Sequence, residues 1–595
     1  MRCTVGRALL LGGTVGAGLL FGAGAARSDS PPEGTASVVA SQVAPARPAE
    51  PAVRAKQFMV AATNPVAAWA GYDVLAENGT AVDAMITVQL VLNLVEPQSS
   101  GIGGGALLLH YDGRSGRLTS LDGLETAPRA ADGSMFLGPD GRPMPFGAAA
   151  VGGRAVGTPG TLKLLLEAHR RWGRLPLDRL FRPAIELAAK GFAVSPRLAG
   201  LLVGDTAERL KRDPRARDYF FPDGQPLQAG QTLRNPAFAD TLRFILSDGD
   251  RPLYLGPIGA DIVAAVQGAS GNPGRLEAID LEIYRVVERQ PVCVPYRAWR
   301  ICGMGPPSAG GIGVGQILGL LEHFDMPALS PDAAETWHLF AEAGKLATAD
   351  RDRYLADADF VLVPASGLVD NAYLTTRAQT ISAGWAAPVP APPGNPSRRI
   401  GQEWSSDTSA ESSDTSHVSI VDAEGSVVSL TTTIEGAFGS HLMVRGFMLN
   451  NELAEFSFLP FAGGRPVANR VEPGKRPRSS MAPTIVLDRD GKPVLVIGSP
   501  GGARIIPYVA QAIIGVLDWG LNVQRAIELG HVVNLNGRTE LEAGTEAAAL
   551  QDALATRGHD VAVTEQVSGL QGIQIGPDGL VGGADTRREG VALGR

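Results

Sequence analysis

The feature that most constrains how this chain folds is an abrupt change of pattern within residues 405–422. Residues 405–413 are almost entirely polar, whereas apolar side chains alternate with polar ones at residues 418–421 and return at residues 427–430. A period of two is that of a β-strand with one buried face, so the pattern predicts a loop that leads into a half-buried strand. Thr415 lies where the loop meets the strand.

The position of Thr415 has a chemical use if the peptide bond before it breaks. Thr415 would then carry both a hydroxyl nucleophile and a free α-amine. A hydroxyl is a poor nucleophile at neutral pH, but an α-amine, with a pKa near ~8, can take its proton. An ordinary polar start of a strand is the alternative, and the string Asp414-Thr415-Ser416-His417 does not decide between them by itself.

Length and charge limit the classes of protein that this chain can belong to. Its 595 residues exceed a single simple core and predict either two interlocked lobes or one large layered unit, and 44% hydrophobic residues allow a sizeable core. A net charge of -8 argues against nucleic acid or an anionic membrane as partner. Small molecules or peptides are the favoured substrates.

The N-terminus predicts export. Arg2 and Arg7 precede an apolar stretch at residues 8–21 and small residues at 23–25, which is the pattern of a signal peptide spanning residues 1–26. A retained membrane anchor is the alternative, but the apolar run is short and rich in glycine. Residues 27–55 predict a mobile leader rich in Pro and Ala. The mature protein is expected in the periplasm or secreted, with no membrane association.

The cysteines leave two interpretations open. Cys3 is removed with the predicted signal peptide, which leaves Cys293 and Cys302 on either side of a predicted hairpin. An oxidising compartment permits a disulfide there, and two buried free thiols are the alternative. Neither cysteine is placed with a histidine as a thiol nucleophile or metal ligand would be. No metal and no cofactor are predicted.

Hydrophobic periodicity predicts helices and strands in an α+β arrangement, with both parts of the chain sharing one core. A glycine loop at residues 101–105 precedes a strand, so it predicts close backbone approach and not a nucleotide site. The predicted helices span residues 64–77, 81–94, 161–172, 180–190, 312–324, 337–354 and 503–517. The predicted strands span residues 58–62, 106–111, 284–289, 291–302, 418–421, 427–433, 447–449, 483–487 and 493–497.

The chain resembles the γ-glutamyltranspeptidase family of N-terminal-nucleophile (Ntn) hydrolases. The resemblance runs along nearly the whole mature chain and rests on several separated strings in the same order. These strings lie at residues 77–84, 182–185, 284–289, 307–311, 349–354, 449–452, 475–484 and 498–502.

The resemblance implies a four-layer αββα sandwich that is made as a proenzyme. Self-cleavage between Asp414 and Thr415 would give a large subunit (residues 56–414) and a small subunit (residues 415–595), which form a heterodimer around one core. The Thr415 hydroxyl would then attack a substrate amide and pass the acyl group to water or to an acceptor amine.

The family's site residues carry over position by position. Thr433 matches the threonine that hydrogen-bonds the nucleophile, and Gly501 with Gly502 matches the oxyanion-binding pair. His417 is read as a structural residue, since the α-amine already serves as base. The implied substrate-binding residues are Glu435, Glu452, Glu455, Ser479 and Ser480.

Three positions depart from the family pattern: Glu435 stands where the family has a substrate-contacting asparagine, Glu455 stands where it has the aspartate that receives the α-amine, and the third is Leu124. Family members hold the α-carboxylate of a γ-glutamyl group with an arginine in the string Arg-Glu-x-Ala-Pro, and this chain has Leu124 there. Losing such a charged pair lowers affinity by roughly two orders of magnitude. Glu435 adds a negative charge near that carboxylate. Arg129 and Arg445 are the candidates to replace the missing arginine.

Three functions follow from these features. The first is a γ-glutamyltransferase or glutathione hydrolase whose substrate carboxylate is held by another group. The second is an acylase for a different amide, similar to cephalosporin and glutaryl acylases, with an acidic pocket suited to an amine-bearing acyl group. The third is a non-catalytic binding protein, which the intact Thr415, Thr433 and glycine pair disfavour.

Overall fold

Two seven-stranded antiparallel β-sheets form the centre of the protein. The computed structural model describes residues 51–397, 403–409 and 414–595. The predicted signal peptide, and the predicted leader up to residue 50, lie outside the described residues.

The first sheet contains the strand that follows Thr415, which we call the nucleophile strand (Ser416–Val421). This strand pairs with Met59–Ala62 on one side and with Val427–Thr433 on the other, so it lies inside the sheet. The strands of the first sheet run in the order Val591–Gly594, Met59–Ala62, Ser416–Val421, Val427–Thr433, Gly105–Tyr111, Leu118–Gly123 and Val287–Arg289.

The second sheet packs face to face on the first. It brings strands from the N-terminal part of the chain together with strands that follow Thr415, so one core unites both predicted subunits. Its strands run in the order Val53–Ala55, Gly579–Ala584, Gln571–Gly576, Pro493–Gly498, Thr484–Leu487, Trp299–Gly303 and Val292–Tyr296.

Helices cover the outer face of each sheet and complete four layers. The helices predicted from periodicity are confirmed, with bounds that differ by three residues or fewer at each end. Beside the first sheet lie Pro65–Ala76, Ala81–Val95, Thr161–Trp172, Leu177–Lys190 and Pro236–Asp248. Beside the second lie Gly310–Leu321, Ala334–Tyr354, Asn371–Ala378, Ile505–Leu517 and Val523–Glu528.

Local sequence sets where the first two helices begin. The side chain of Asn64 accepts a hydrogen bond from the N–H of Val66, and Pro65 occupies the first turn. Thr80 and Asp83 form a reciprocal capping box at the next helix. These caps hold a fully buried helix, Ala81–Val95, against the nucleophile strand.

The nucleophile strand is buried on both faces, so the prediction of a half-buried strand is wrong. Its apolar residues Val418 and Ile420 join the core on the helix side, as the alternation requires. Its polar residues face the second sheet and not solvent: the Ser419 hydroxyl donates to the carbonyl of Gln571 at 2.9 Å. Hydrogen bonding between sheets replaces water on the polar face.

Two other boundaries differ from expectation. The predicted leader extends to residue 55, yet Val53–Ala55 forms an edge strand of the second sheet, so the folded part begins earlier. The segments predicted as one strand pair at residues 284–302 separate: Val287–Arg289 joins the first sheet, while Val292–Tyr296 and Trp299–Gly303 form a hairpin in the second.

The hairpin carries the disulfide that the sequence left open. Cys293 and Cys302 lie directly opposite each other and are joined, with Cα atoms 4.1 Å apart. Among the described residues, no helix combines the length and apolar character needed to cross a bilayer.

Candidate active site

Thr415 lies against a small cavity at the start of the nucleophile strand, and only 4% of its surface is exposed. The space between atoms here, counted together with the part that opens to solvent, is about 240 Å³. It gathers eight of the ten predicted site residues, leaving out Gly501 and Asp414, which are the chain neighbours of lining residues. Its lining comprises Thr415, Thr433, Glu435, Glu452, Glu455, Ser479, Ser480, Met481, Gly502 and Ile505.

The peptide bond between Asp414 and Thr415 is held by Thr433. The Thr433 hydroxyl donates a hydrogen bond of 2.9 Å to the carbonyl oxygen of Asp414. The same hydroxyl accepts from the N–H of Glu435 at 2.7 Å, which fixes its orientation. A donor on this carbonyl draws electron density from the carbon that a nucleophile would attack.

The glycine loop before strand Gly105–Tyr111 allows Thr433 to take this position. A Cβ atom at Gly104 would lie 2.0 Å from the carbonyl oxygen of Thr433, so only glycine fits there. The predicted close approach of two backbones is therefore confirmed.

The side chain of Asp414 is bound by an arginine that was not predicted as a site residue. Arg197, from the short helix Pro196–Leu201, donates to the Asp414 carboxylate at 2.6 Å, and Ser99 lies 3.3 Å from the same oxygen. Arg588, near the C-terminus, lies 3.5 Å from it and donates to the carbonyl of Thr415 at 3.0 Å. Residues far apart in sequence thus meet at the bond.

The predicted oxyanion pair lies where strand Pro493–Gly498 turns toward helix Ile505–Leu517. Gly501 and Gly502 have φ values of 139° and 57°, and a Cβ at Gly501 would be 2.8 Å from the ring of Tyr508. Within the described structure, neither N–H donates to a protein acceptor. Both donors are therefore available for a developing oxyanion beside Thr415.

Part of the cavity lining is acidic. Glu435, Glu452 and Glu455 line it, and Glu125 lies close enough for its charge to interact with theirs. Burial raises the pKa of Glu452 to about 8. Burial, together with the charge of Glu452, also raises the pKa values of Glu125 and Glu455 well above their ordinary range. Part of this group is thus protonated at neutral pH, and a cation placed here would favour its ionisation.

The loops that carry these carboxyls are tied together. The side chain of Asn451 accepts from the N–H of Gly436 at 2.9 Å, and that of Asn450 accepts from the N–H of Glu452 at 3.2 Å. Glu125 was not predicted as a site residue. It follows Leu124 in the string that differs from the family pattern, and this position could have indicated it.

The cavity lining also includes the polar pair Ser479 and Ser480, and an arginine lies behind Ser480. Ser479 pairs with Ser308 through a short β-bridge, which fixes the serine pair beside the string at residues 307–311. Arg351 donates to the Ser480 hydroxyl at 2.6 Å. Burial and the neighbouring Arg478 lower the pKa of Arg351 to about 10, which still leaves it charged at neutral pH.

The two arginines proposed to replace the missing one are the wrong candidates. Arg445 forms an ion pair with Asp261 at 2.5 Å, Arg129 is exposed, and neither lines the cavity. Leu124 is fully buried in an apolar cluster. Arg351, on helix Ala334–Tyr354, was not predicted as a site residue, and its guanidinium contacts the lining residue Ser480.

His417 occupies a structural position. Its ring nitrogens lie 2.8 Å from the Thr431 hydroxyl and 3.1 Å from that of Ser419, both on neighbouring positions of the first sheet. Complete burial lowers its pKa to about 3, so the ring is neutral. These contacts agree with the structural interpretation.

The buried side chains of His338, Glu342 and His559 lie close enough together to bind a metal ion, but they already form hydrogen bonds. The two rings meet at 2.8 Å, and Lys345 donates to Glu342 at 2.7 Å. The other side of the His338 ring contacts the Ser382 carbonyl at 2.6 Å. These contacts already use the ring nitrogens of His338, and the ion pair with Lys345 already uses Glu342.

Comparison with known proteins places this geometry in a family. The family model described as gamma-glutamyltranspeptidase matches residues 67–595. The glutathione hydrolase proenzyme of Bacillus subtilis is 38% identical over 557 residues, which cover 91% of this chain and 92% of that protein. The acylase ACY 1 proenzyme of Pseudomonas sp. (strain V22) is 36% identical, covering 90% and 93%.

A solved structure extends the likeness to the fold. The crystal structure of cephalosporin acylase from Bacillus halodurans superposes with a TM-score of 0.80 at 27% identity, covering 93% of this chain and 98% of that one. The predicted αββα sandwich is thus confirmed. The chain belongs to the γ-glutamyltranspeptidase family and is an enzyme of its amide hydrolase and acyltransferase class.

Proposed function

We propose that this enzyme is made as a precursor, cleaves itself between Asp414 and Thr415, and then uses Thr415 as a nucleophile on amides. The observation that carries the proposal is the hydrogen bond from the Thr433 hydroxyl to the carbonyl oxygen of Asp414. It polarises the one carbonyl that must be attacked, in a cavity shared with Thr415. Relatives named proenzymes support the same order of events.

In self-cleavage, the Thr415 hydroxyl adds to the carbonyl carbon of Asp414. The C–N bond breaks, an ester forms, and the hydroxyl proton ends on the new α-amine of Thr415. Water then hydrolyses the ester, which restores the hydroxyl and leaves a carboxylate on Asp414. The large and small subunits stay together because each sheet contains strands of both subunits.

In turnover, the Thr415 α-amine takes the proton of its own hydroxyl as this attacks a substrate amide. The N–H groups of Gly501 and Gly502 stabilise the oxyanion, and the leaving amine receives the proton. Each such donor contributes about 3 kcal/mol to transition-state stabilisation. Water or an acceptor amine then attacks the acyl-enzyme ester and regenerates Thr415.

The acyl group that the cavity fits best is γ-glutamyl, as in glutathione. Its lining offers both kinds of partner: Glu435, Glu452 and Glu455 suit an α-ammonium group, and Ser480, which Arg351 contacts, suits an α-carboxylate. A zwitterionic acyl group can use both kinds of partner at once. Relatives named glutathione hydrolase support this substrate class.

The decisive experiment identifies the first residue of the small fragment in purified protein. We expect Edman or mass-spectrometric sequencing to give Thr415, and Thr415→Ala protein to stay a single chain on a denaturing gel. Wild-type protein that turns over substrate while its chain remains continuous through residue 415 would refute the mechanism. A single chain without activity would favour the non-catalytic alternative.

A second candidate function is an acylase for an amide other than γ-glutamyl. The observation in its favour is that Leu124 is buried and uncharged where the family binds a carboxylate with arginine. Relatives include proteins named acylase ACY 1 and cephalosporin acylase. Release of chromophore from γ-glutamyl, glutaryl and simple acyl anilides discriminates the two. The acylase is favoured if glutaryl or simple acyl anilides turn over faster and Leu124→Arg raises γ-glutamyl turnover.

We also propose that the mature enzyme works outside the cytoplasm, in the periplasm or secreted. The predicted signal peptide and the disulfide between Cys293 and Cys302 support this location, because such bonds persist in oxidising compartments. Fractionation of cells, followed by N-terminal sequencing of the large fragment, tests it.

A further inference from the structure

We propose that a cleft between helices Gly204–Leu210 and Pro257–Gln267 binds a small organic anion with two negative charges, a phosphate monoester or a dicarboxylate, through Arg209 and Arg212. We call it the arginine cleft. Among the described residues, none lines both this cleft and the cavity at Thr415. The site therefore goes beyond the proposed function and does not depend on self-cleavage.

The arginine cleft has the size of a site for a small molecule. Its volume is about 520 Å³. Ligand sites in proteins commonly enclose about 300 to 1,000 Å³, so a bare inorganic ion would fill only a small part of the cleft. The ligand is therefore expected to have an organic body. The cleft is lined by parts of residues 147–152, 209–215, 261–272 and 440–442.

Two guanidinium groups of the cleft are left unpaired by the described residues. Within that part of the chain, neither Arg209 nor Arg212 forms an ion pair or a side-chain hydrogen bond. The N–H of Arg212 donates to the carbonyl of Arg209 at 3.2 Å, which places the two residues one turn apart. Guanidinium groups bind phosphate and carboxylate oxygens through paired N–H donors. Two such groups suit a doubly charged anion.

The acidic groups of the cleft do not neutralise these arginines. Asp213 pairs with Arg215 at 3.1 Å and accepts from the N–H of Ala216 at 3.0 Å. Asp261 pairs with Arg445 at 2.5 Å. The cleft thus keeps a positive excess in a protein whose net charge is -8. Such a local excess attracts anions to this part of the surface.

His441 lies in the cleft wall and adds no charge. Its Nε2 is 3.1 Å from the carbonyl oxygen of Ala437, which can only accept, so Nε2 carries the hydrogen. Burial, together with the charges of Arg209 and Arg212, lowers the pKa of His441 to about 4. Because both guanidinium groups act on this one ring, they lie close to each other around it.

Hydrogen bonds hold another wall of the cleft in place. The side-chain amide of Asn272 donates to the carbonyl of Val151 at 2.7 Å, and its oxygen accepts from Arg154 at 2.7 Å. The N–H of Gly152 donates to the carbonyl of Ser440 at 2.9 Å. These bonds join distant segments, so the cleft is formed before a ligand arrives and binding costs little ordering.

The same wall offers an apolar surface to the organic part of the ligand. The side chains of Ala148, Ala264, Ala265 and Ala269 line the cleft. Short side chains leave a smooth surface on which a flat group can pack. The ligand is therefore expected to place its anionic group at the two arginines and its organic body against these alanines.

The first test measures binding to the mature enzyme by calorimetry, in a buffer without phosphate, sulfate or carboxylate. Phenyl phosphate, phthalate, benzoate and benzyl alcohol share one ring and differ in charge, and at about pH 8 a phosphate monoester carries two charges. The better of the two dianions should bind with Kd below about 1 mM. Benzoate should bind at least about tenfold more weakly, and benzyl alcohol should not bind measurably. The order of the two dianions identifies the preferred anionic group.

The second test assigns the binding to the two arginines. Arg209→Gln and Arg212→Gln should each weaken the better dianion about tenfold, because each removes a charged hydrogen-bond donor. The double variant should show no measurable binding. Arg243→Gln removes an exposed arginine that pairs with Asp240 outside the cleft, so this control should bind as wild type does. Thermal unfolding without ligand checks that each variant is folded, and added salt should weaken binding to the wild type.

Three results would overturn the inference. The first is that neither dianion binds at concentrations up to about 10 mM. The second is a folded double variant that binds the better dianion as tightly as wild type. The third is equal binding of benzyl alcohol and the dianions, which would show that the cleft recognises the ring and not the charge.

Discussion

Two groups of charged side chains lie near Thr415, and they differ in whether guanidinium groups or carboxyl groups are in excess. Around Asp414, one carboxylate faces Arg197 and Arg588 at short distances. In the cavity, the carboxyls Glu435, Glu452 and Glu455 face each other, and burial raises the pKa values of the latter two.

This difference corresponds to the two proposed reactions of the enzyme, self-cleavage and the turnover of substrate. The group around Asp414 has its ligand built into the chain, because self-cleavage happens once on a fixed substrate. In the cavity, Glu455 interacts with Arg351 and Arg478, and the further carboxyls Glu435 and Glu452 make the cluster acidic, so a cationic group of a ligand gains by binding there. Variants on each side of Thr415 should therefore affect different steps.

The largest effect is expected from the hydroxyl that serves the scissile bond. Thr433→Val keeps the shape but removes the donor to the Asp414 carbonyl, so self-cleavage should slow by about 100-fold or more. Conversion of precursor on denaturing gels measures it. The matched control is Thr432→Val, whose hydroxyl bonds the carbonyl of Gly105 at 3.2 Å and should leave the rate nearly unchanged. Equal rates for both variants would remove Thr433 from the mechanism.

A smaller effect is expected from the carboxyls that line the cavity, and it should appear in substrate turnover only. Glu455→Gln should raise KM for a γ-glutamyl anilide about tenfold, because the α-ammonium group loses a charged partner. KM for the glutaryl anilide, which lacks that amine, should not change. If both substrates lose equally, Glu455 shapes the cavity and does not recognise the amine.

For the serine that Arg351 contacts, the substitution Ser480→Ala should raise KM for the γ-glutamyl anilide about fivefold. A 4-aminobutyryl anilide, which has the amine but no α-carboxylate, serves as the matched substrate and should be unaffected. An effect of the same size on both would contradict the placement of the carboxylate at Ser480 and Arg351.

The smallest effect is a pH dependence that belongs to the carboxyl cluster. The pKa of Glu452 is raised from 4.5 to about 8, so the folded protein holds this proton more tightly than the unfolded chain. Its contribution to stability is therefore present at low pH and is lost as pH rises toward 8. Glu452→Gln should gain about 2 °C in Tm relative to wild type between about pH 5 and about pH 8.

Substrate binding should strengthen over the same pH range in which the stability contributed by Glu452 is lost. As Glu452 loses its proton, it offers a charge to the substrate amine, so KM for the γ-glutamyl anilide should fall between about pH 6 and about pH 8. In Glu452→Gln this fall should be absent. A KM profile that is the same in both proteins would assign the titration to another group.

Much of the fold could be predicted because its signals are local. The alternation at residues 418–421, the cap at Asn64 and the box of Thr80 with Asp83 each act over a few residues. The buried polar face of the nucleophile strand could not be predicted, since alternation looks the same whether water or a second sheet covers that face.

The sequence by itself determined the position of the predicted nucleophile, most of the residues that line the cavity beside it and the family to which the chain belongs. Only the tertiary structure decided which charges meet. Arg351 reaches Ser480 across 129 positions, and Arg197 reaches Asp414 across 217. Arg129 and Arg445 lie elsewhere, because packing of distant elements sets which side chains come together, and no local pattern records it.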